Sequence, residues 1–256
     1  MPLRESDAFV LITYPMGEAD KVAVMFTREF GKIRAVARGA RRPKSLFGAS
    51  LEPLSEVHVS FFEKETRELV SLRRCELLMS PFERACTPEG ELFLHHIGEV
   101  TDRFQPLSEP NDRIYRLLKA IVETFRSAPD LNRLSAYFDI WMLKLSGFLG
   151  HWDRCLRCQH PYRTKEEILV GADGTTFCQK CPPPVQYLTV GEDVRQAIEQ
   201  ISRLDPLSWT EQEVSPTAMQ KIKQLAHLLI TTILEHHLRT EIIFIAYHRN
   251  ERRMER

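Results

Sequence analysis

Apolar and polar residues alternate with a period of two in a series of short runs near the start of the chain: AFVLITY, KVAVMF, KIRAVAR, EVHVSFF and RELVSLRRCEL. Alternation of this kind predicts strands that each bury one face. Turn material separates them at Pro15-Met16-Gly17, at Gly31 and from Arg41 to Pro53. Five short strands packed so closely in sequence predict a small closed or nearly closed barrel. In the third run, Ile33, Ala35 and Ala37 share one face and Lys32, Arg34 and Arg38 the other. Those basic residues are therefore expected on a solvent face.

From Pro81 the period changes to that of a helix. Ile114, Leu117, Leu118, Ile121, Val122 and Phe125 form one apolar stripe. Leu131, Leu134, Phe138, Trp141, Met142, Leu145 and Phe148 form a second. Val194, Ile198, Ile201 and Leu204 form a third, preceded by Thr189 and Glu192 at the spacing of a capping box. A last long helix is expected to start at Ser215-Pro216 and to bury Met219, Ile222, Leu225, Leu229, Ile233 and Leu238. These stripes read as the core of a helical bundle, since helices that face a core need them in any case.

Between the second and third stripes lie two C-x-x-C hooks, Cys155 with Cys158 and Cys178 with Cys181, separated by nineteen residues. Each hook brings two thiolates to adjacent corners of one tetrahedron, and the pair matches a tetrathiolate zinc site. Four protein ligands leave no open position, so the expected Zn2+ is structural. An iron–sulfur cluster also accepts four thiolates and is the weaker reading. His160 is expected at the surface or behind the ligands, and Cys75 and Cys86 as buried packing residues. The segment between the hooks suits a hairpin, with EEILV as a strand and a turn at Ala172-Asp173-Gly174.

The expected fold class is thus α+β and multidomain. An N-terminal five-stranded barrel of the OB type covers residues 1–79. An α-helical domain follows over residues 80–256, interrupted at about residues 153–186 by the zinc element. The chain has 256 residues, 43% of them hydrophobic and 27% charged, enough for substantial cores without disulfides. No run approaches the ~18 to 20 apolar residues of a membrane span, and MPLRESDAF lacks the apolar core of a signal peptide. A cytoplasmic location follows as an expectation.

Formal net charge is zero, from 35 basic and 35 acidic side chains, so any case for nucleic acid rests on where the charges lie. Lys21, Arg28, Lys32, Arg34, Arg38, Arg41, Arg42 and Lys44 fall in one segment whose only acid is Glu29. A barrel of the OB type binds single strands through a charged groove and aromatic platforms. Phe9, Tyr14, Phe26, Phe30, Phe47, Phe61 and Phe62 are the candidate platforms, with Phe47 on the basic loop the favoured one. No phosphate-binding glycine loop, nucleophile elbow or zinc-deaminase pattern is present, and the pairs His95-His96 and His236-His237 read as exposed or core-edge residues. No enzyme is expected. The C-terminal HRNERRMER reads as a frayed tail.

The stretch GEADKVAVMFTREFGKIRAVARGARRPKSLFGASLEPL from Gly17 to Leu54, LKLSGFLGHWDRCLRC from Leu143 and GADGTTFCQKC from Gly171 resemble the bacterial recombination mediator family RecO, and the resemblance runs along most of the chain. It implies a DNA repair and recombination role: binding single- and double-stranded DNA, annealing complementary strands and, with the partner RecR, helping to load RecA onto strands coated by single-stranded-DNA-binding protein (SSB). The family's basic motif carries over onto Arg38, Arg41, Arg42 and Lys44, with Lys32 on the preceding strand, and its zinc ligands onto Cys155, Cys158, Cys178 and Cys181. Arg34 joins the DNA-binding set through its place on the same strand face. Gln159 stands where many members have a glycine. The resemblance assigns no residue to docking of the SSB C-terminal tail, and it implies a cytoplasmic, nucleoid-associated protein. The alternative is an adaptor whose basic loop grips an acidic partner and which meets DNA only through RecR.

Overall fold

The computed structural model of the protein describes residues 2–63, 69–150, 152–184, 186–235 and 238–240. The His236-His237 pair and the C-terminal HRNERRMER lie outside the described residues. The chain divides into two compact units, Met1–Arg126 with Leu238–Arg256, and Ser127–His237.

In the first unit, β1 (Leu3–Met16), β2 (Asp20–Thr27), β3 (Gly31–Ala37), β4 (Glu56–Phe62) and β5 (Leu69–Met79) close into the barrel β1-β2-β3-β5-β4. The OB-type barrel expected from the alternation is present. Arg67 and Glu68, the first residues of the fifth predicted run, lie outside the described residues. Closure depends on the long β1, which pairs with β4 over Leu3 to Phe9 and with β2 over Ala8 to Met16. Its register shifts between Val10 and Ile12, the kind of irregularity that lets one strand bend into two pairings. The seam is completed by β3 and β5, which run parallel, with Arg34, Ala35 and Val36 opposite Leu69, Val70 and Ser71.

Alternate residues fill the interior. Ala8 and Val10, Ala23 and Met25, and Ile33, Ala35 and Ala37 meet Val57, Val59 and Phe61 from β4. The many alanines leave room for Met25 and Phe61, so small and large side chains share a narrow lumen. Burying a side chain such as Phe61 contributes about 2–3 kcal/mol.

The outer face of β1, β2 and β3 is not solvated along its whole length. Helices α1 (Phe82–Ala85), α2 (Pro88–Phe104) and α3 (Asp112–Phe125) follow the barrel. α2 starts at Pro88, with the Thr87 hydroxyl accepting from the Gly90 N–H and Glu89 and Glu91 in its first turn. It lies on β1 at Gly98, where a Cβ would sit 2.4 Å from the Leu11 carbonyl oxygen. From α3, the Tyr115 ring packs tilted against Phe9, with centroids 5.1 Å apart. The Tyr115 hydroxyl donates to the buried Glu56 carboxylate of β4 at 3.0 Å, and Lys119 Nζ donates to it at 3.1 Å. Glu99 on α2 is also buried and accepts from the Arg239 and Thr240 backbone N–H groups and from the Thr240 hydroxyl.

The second unit contains α4 (Leu131–Leu145), the three-stranded sheet of β6 (Ile168–Gly171), β7 (Thr176–Cys178) and β8 (Tyr187–Val190), and helices α5 (Glu192–Arg203), α6 (Pro206–Thr210) and α7 (Pro216–Leu234). Leu134, Phe138 and Met142 of the α4 stripe are buried, whereas Phe148 lies past the helix end and is exposed. Trp209 of α6 is fully buried, and its indole N–H donates to the Arg133 carbonyl at 3.0 Å. α7 begins as expected: Ser215 accepts from the Ala218 N–H and Pro216 opens the first turn. It ends at Leu234, so Leu238 is buried outside the helix.

Two local expectations are corrected. Thr189 is in β8 and does not cap α5, whose first helical residue is Glu192 after Gly191, with no side-chain cap. The strand runs to Val190 and holds Thr189 in the β6 pairing, leaving Glu192 and Asp193 to favour the helix start through its dipole. Cys75 is buried in the barrel core, but Cys86, after the single turn of α1, is exposed.

Gly98→Ala is expected to lower stability by about 2 kcal/mol or more, because the clash is with backbone and neither element can yield cheaply. A urea denaturation midpoint unchanged from the parent protein would contradict the close approach of α2 to β1.

Candidate nucleic-acid interface and metal centre

Along β3, side chains alternate between the lumen and the outer face, and Arg34, Val36 and Arg38 follow one another on the outside. Arg34, Arg38, Arg41, Arg42 and Lys44 are all exposed. Lys32 is not. It is 7% exposed and its Nζ donates to Asp102 Oδ1 of α2 at 3.0 Å, with a second bond to the Asp102 carbonyl. The expected solvent face is thus corrected for Lys32: α2 covers that end of the strand, and a buried ammonium has to be paired. The Lys32 carbonyl also accepts from the Ser108 N–H at 2.9 Å, tying the segment after α2 to β3.

The loop after β3 is held at both ends. Gly39 takes a positive φ of 71°, and its N–H donates to Asp20 Oδ1 at 2.8 Å. The Arg41 N–H donates to the Ala19 carbonyl at 2.9 Å, and Arg41 Nη1 to the Gly17 carbonyl at 2.8 Å. The far end is fixed by Phe47, whose N–H donates to Ser45 Oγ and whose ring enters the barrel core. The basic side chains are therefore presented by a loop with a defined backbone, docked on the turn between β1 and β2.

Phe47 is consequently not a free platform, contrary to expectation. At 7% exposure its ring closes the barrel, because a large apolar side chain at the mouth of a small lumen gains more from burial than from solvent. Phe9, Phe26 and Phe61 are buried too. Phe30 and Phe62 are half-buried and face Arg4 and Arg73. Tyr14, at 40%, is the exposed ring of the set. Sequence reading did not single out Arg103, in the last turn of α2, or Arg239, just past α7, both exposed. The one local signal was Glu99, an acid inside an apolar helix face that needed partners and found them at Arg239 and Thr240.

In the second unit, Cys155, Cys158, Cys178 and Cys181 come together with their sulfurs all within 4.8 Å of one another. β7 delivers Cys178 at its end, paired opposite Ile168 of β6. Each hook turns tightly: the Gln159 N–H donates to the Cys155 carbonyl and the Cys181 N–H to the Cys178 carbonyl, both at 2.9 Å. Gln159 occupies the left-handed region, with φ 58°, a conformation glycine takes at less cost. Its side-chain amide donates to the Leu156 carbonyl at 3.0 Å, which supports the turn with this residue in place. His160 is exposed, pairs with Glu166 at 3.2 Å and contributes its carbonyl to the Cys155 N–H.

The donor set fits a single metal ion. A tetrahedral ion with ~2.3 Å bonds spaces its sulfurs ~3.8 Å apart, and Cys158 and Cys178 stand 3.7 Å apart. Burial opposes ionisation of Cys155, but N–H donors from Cys158, Cys178 and Arg157 outweigh it and hold the thiol at about 6. Burial and the neighbouring sulfurs of Cys158 and Cys178 push Cys181 up to about 12. Four thiolates this close cannot all be charged without a cation among them.

Comparison with known proteins gives a consistent picture. The family described as Recombination protein O N terminal matches residues 1–81, and Recombination protein O C terminal matches residues 92–241. The DNA repair protein RecO of Koribacter versatilis is 33% identical over 243 residues, covering 95% of this chain and 97% of its own. RecO of Syntrophus aciditrophicus is 27% identical over 193 residues, covering 73% of this chain and 74% of its own. RecO of Cutibacterium acnes is 31% identical over 193 residues, covering 72% and 76%.

The Lys32–Asp102 pair, with side chains 9% and 16% exposed, makes a definite prediction. Lys32→Ala is expected to cost about 3 kcal/mol, because it strands a largely buried carboxylate. Adding Asp102→Ala should recover part of that loss in a double-mutant cycle of chemical denaturation. Additive losses would mean that the two groups do not interact.

Proposed function

The chain belongs to the RecO family of DNA repair proteins, and on that premise we propose that it is a recombination mediator that binds single- and double-stranded DNA and anneals complementary strands. The observation that carries this reading is the continuous exposed run of Arg34, Arg38, Arg41, Arg42 and Lys44 on β3 and its anchored loop. Lys32 supports the run from behind through Asp102 and does not belong to the contact surface. Cationic side chains on a rigid barrel screen the repulsion between two phosphate backbones, and release of condensed counterions drives binding. Contacts to phosphate position a strand without reading bases, so sequence preference is expected to be weak. No bond is made or broken.

RecR, the SSB C-terminal tail and, indirectly, RecA are the proposed partners, with the bacterial cytoplasm and nucleoid as the place of action. Residues 1–79 supply the DNA-binding barrel in this reading, and residues 80–256 the helical domain, with the metal element at about residues 153–186. The metal is proposed to be zinc, held by Cys155, Cys158, Cys178 and Cys181 and structural in role. Sulfurs within 4.8 Å of one another favour one metal atom over a cluster of several irons, which spreads its thiolates over separate metal atoms. A second reading, an adaptor that grips an acidic partner and leaves DNA to RecR, draws support from Leu46. This side chain is 93% exposed beside Lys44 and combines apolar with basic character on one loop. Titrating DNA with the purified chain alone separates the two readings.

For the loop, Arg41→Ala/Arg42→Ala is expected to reduce the slope of log affinity against log salt by roughly 1.4 on single strands, about 0.7 per lost phosphate contact. An unchanged slope removes the loop from the interface. For the metal, elemental analysis should find one zinc per chain, lost in Cys158→Ser. Chelation should lower the thermal midpoint and expose the amides of β6 and β7 to hydrogen exchange, since metal binding and folding are coupled in such sites. Full amide protection in metal-free protein would contradict a structural role.

A further inference from the structure

Resting on the reading of the barrel as a DNA-binding surface, we propose that Tyr14 is a base-stacking platform for single-stranded DNA, with Arg34, Arg103 and Arg239 gripping the phosphates on either side.

Three elements that are distant in sequence build this site within one compact unit. On the barrel wall, Tyr14 of β1 stands opposite Val22 of β2, which stands opposite Val36 of β3. Val22 and Val36 are half-buried, so the exposed ring borders an apolar shelf. The neighbouring row runs Ile12, Val24, Arg34, which places Arg34 beside the shelf on the same face. From α2, Gly98 abuts the Leu11 carbonyl, and Asp102 reaches Lys32 of β3, so the last turn of the helix, with Arg103, ends over this part of the wall. Glu99, one turn earlier on α2, fixes the backbone of Arg239 and Thr240 against the same helix.

The electrostatics agree with that placement. Asp102, Arg239, Arg103 and Arg34 all act on the Tyr14 hydroxyl. Burial, ahead of the Asp102 carboxylate, holds the phenol above its ordinary value, and the three guanidinium groups act in the opposite direction. The ring is thus neutral at any working pH. Arg34, Arg103 and Arg239 are exposed and form no ion pair among the described residues. Three unpaired cations around an exposed ring would be a poor arrangement for an isolated surface, because like charges repel. A polyanion with flat apolar groups along it satisfies both features, and single-stranded DNA has its bases free to stack. A duplex has them paired and stacked inside.

The site is continuous with the basic loop. Two positions past Tyr14, β1 ends at Met16, and the next residue, Gly17, accepts from the Arg41 guanidinium. On the other side Arg34, Val36 and Arg38 lead along β3 into the same loop. A single strand can therefore run from the loop across Tyr14 to the end of α2 without leaving a cationic surface.

The test is a fluorescence-anisotropy titration of the full chain with a labelled oligothymidylate and with a duplex, each at several salt concentrations. Tyr14→Leu keeps apolar bulk on the wall and removes the π face. It should weaken single-strand binding on the order of tenfold at every salt concentration, while Tyr14→Phe binds like the parent. Duplex affinity and the salt slope should not move. Arg103→Ala/Arg239→Ala should reduce the single-strand slope by roughly 1.4. The proposal is overturned if Tyr14→Leu binds oligothymidylate like the parent, or if it loses single and double strands equally. It is also overturned if the Arg103/Arg239 slope is unchanged while that of the Arg41/Arg42 variant falls, a result that leaves the loop reading intact. Failure of the parent chain to bind any DNA overturns the broader reading and this one with it. Because Arg103 and Arg239 are exposed, their variant reports even if Tyr14→Leu fails to fold.

Discussion

The architecture of the first unit depends on the backbone contact between α2 and β1. Only glycine at position 98 allows the helix to lie against the Leu11 carbonyl, and that closeness lets Asp102 reach Lys32 on β3. The helix thereby divides the outer wall of the barrel into a covered part and an open part. Phe9, Val24, Phe26 and Lys32 are in the covered part, and Tyr14, Arg34 and Arg38 in the open one. A buried lysine pairing with an aspartate stabilises little in itself once desolvation is counted, but an unpaired one would be costly. The pair therefore favours one seating of α2, and that seating decides which cations face solvent.

The loop and the cysteine cluster solve a similar problem by different means. Concentrating like charges on a flexible segment would spread them over many arrangements and weaken any one interface through lost entropy. Here Asp20, the Ala19 and Gly17 carbonyls and the buried Phe47 ring define the backbone from Gly39 to Phe47. The four sulfurs in the second unit likewise repel one another when ionised, and the hook turns hold them together in advance. In both places the fold holds together groups that repel one another. A phosphate backbone suits the first and a divalent cation the second.

Much of this could be read from the chain. The strands appear as period-two runs and the helices as stripes because burial of one face imposes those periods directly. The cysteine hooks could be read because two-residue spacing is a covalent limit on where two sulfurs can go. Ser215-Pro216 announced α7 for the same local reason, since a cap acts within a single turn. Where a residue had two plausible local roles, the reading failed. Thr189 was equally suited to a cap and to a strand, and the pairing with β6 took it. Phe47 looked free on a polar loop, and the barrel mouth took it.

The sequence alone determined that a closed barrel forms, that helices follow it, that four cysteines converge, and that basic side chains gather around Arg41 and Arg42. Each of these follows from spacing within one element or one loop. Tertiary structure decided which face of β3 meets solvent, because that depends on where a helix some sixty residues later comes to rest, and Lys32 and Arg34 are alike until it does. It also brought Tyr14, Arg103 and Arg239 onto one surface, through a glycine that admits a helix and a buried glutamate that fixes a returning segment. Alternation can place a side chain outside a barrel; only packing over long range shows what else is there.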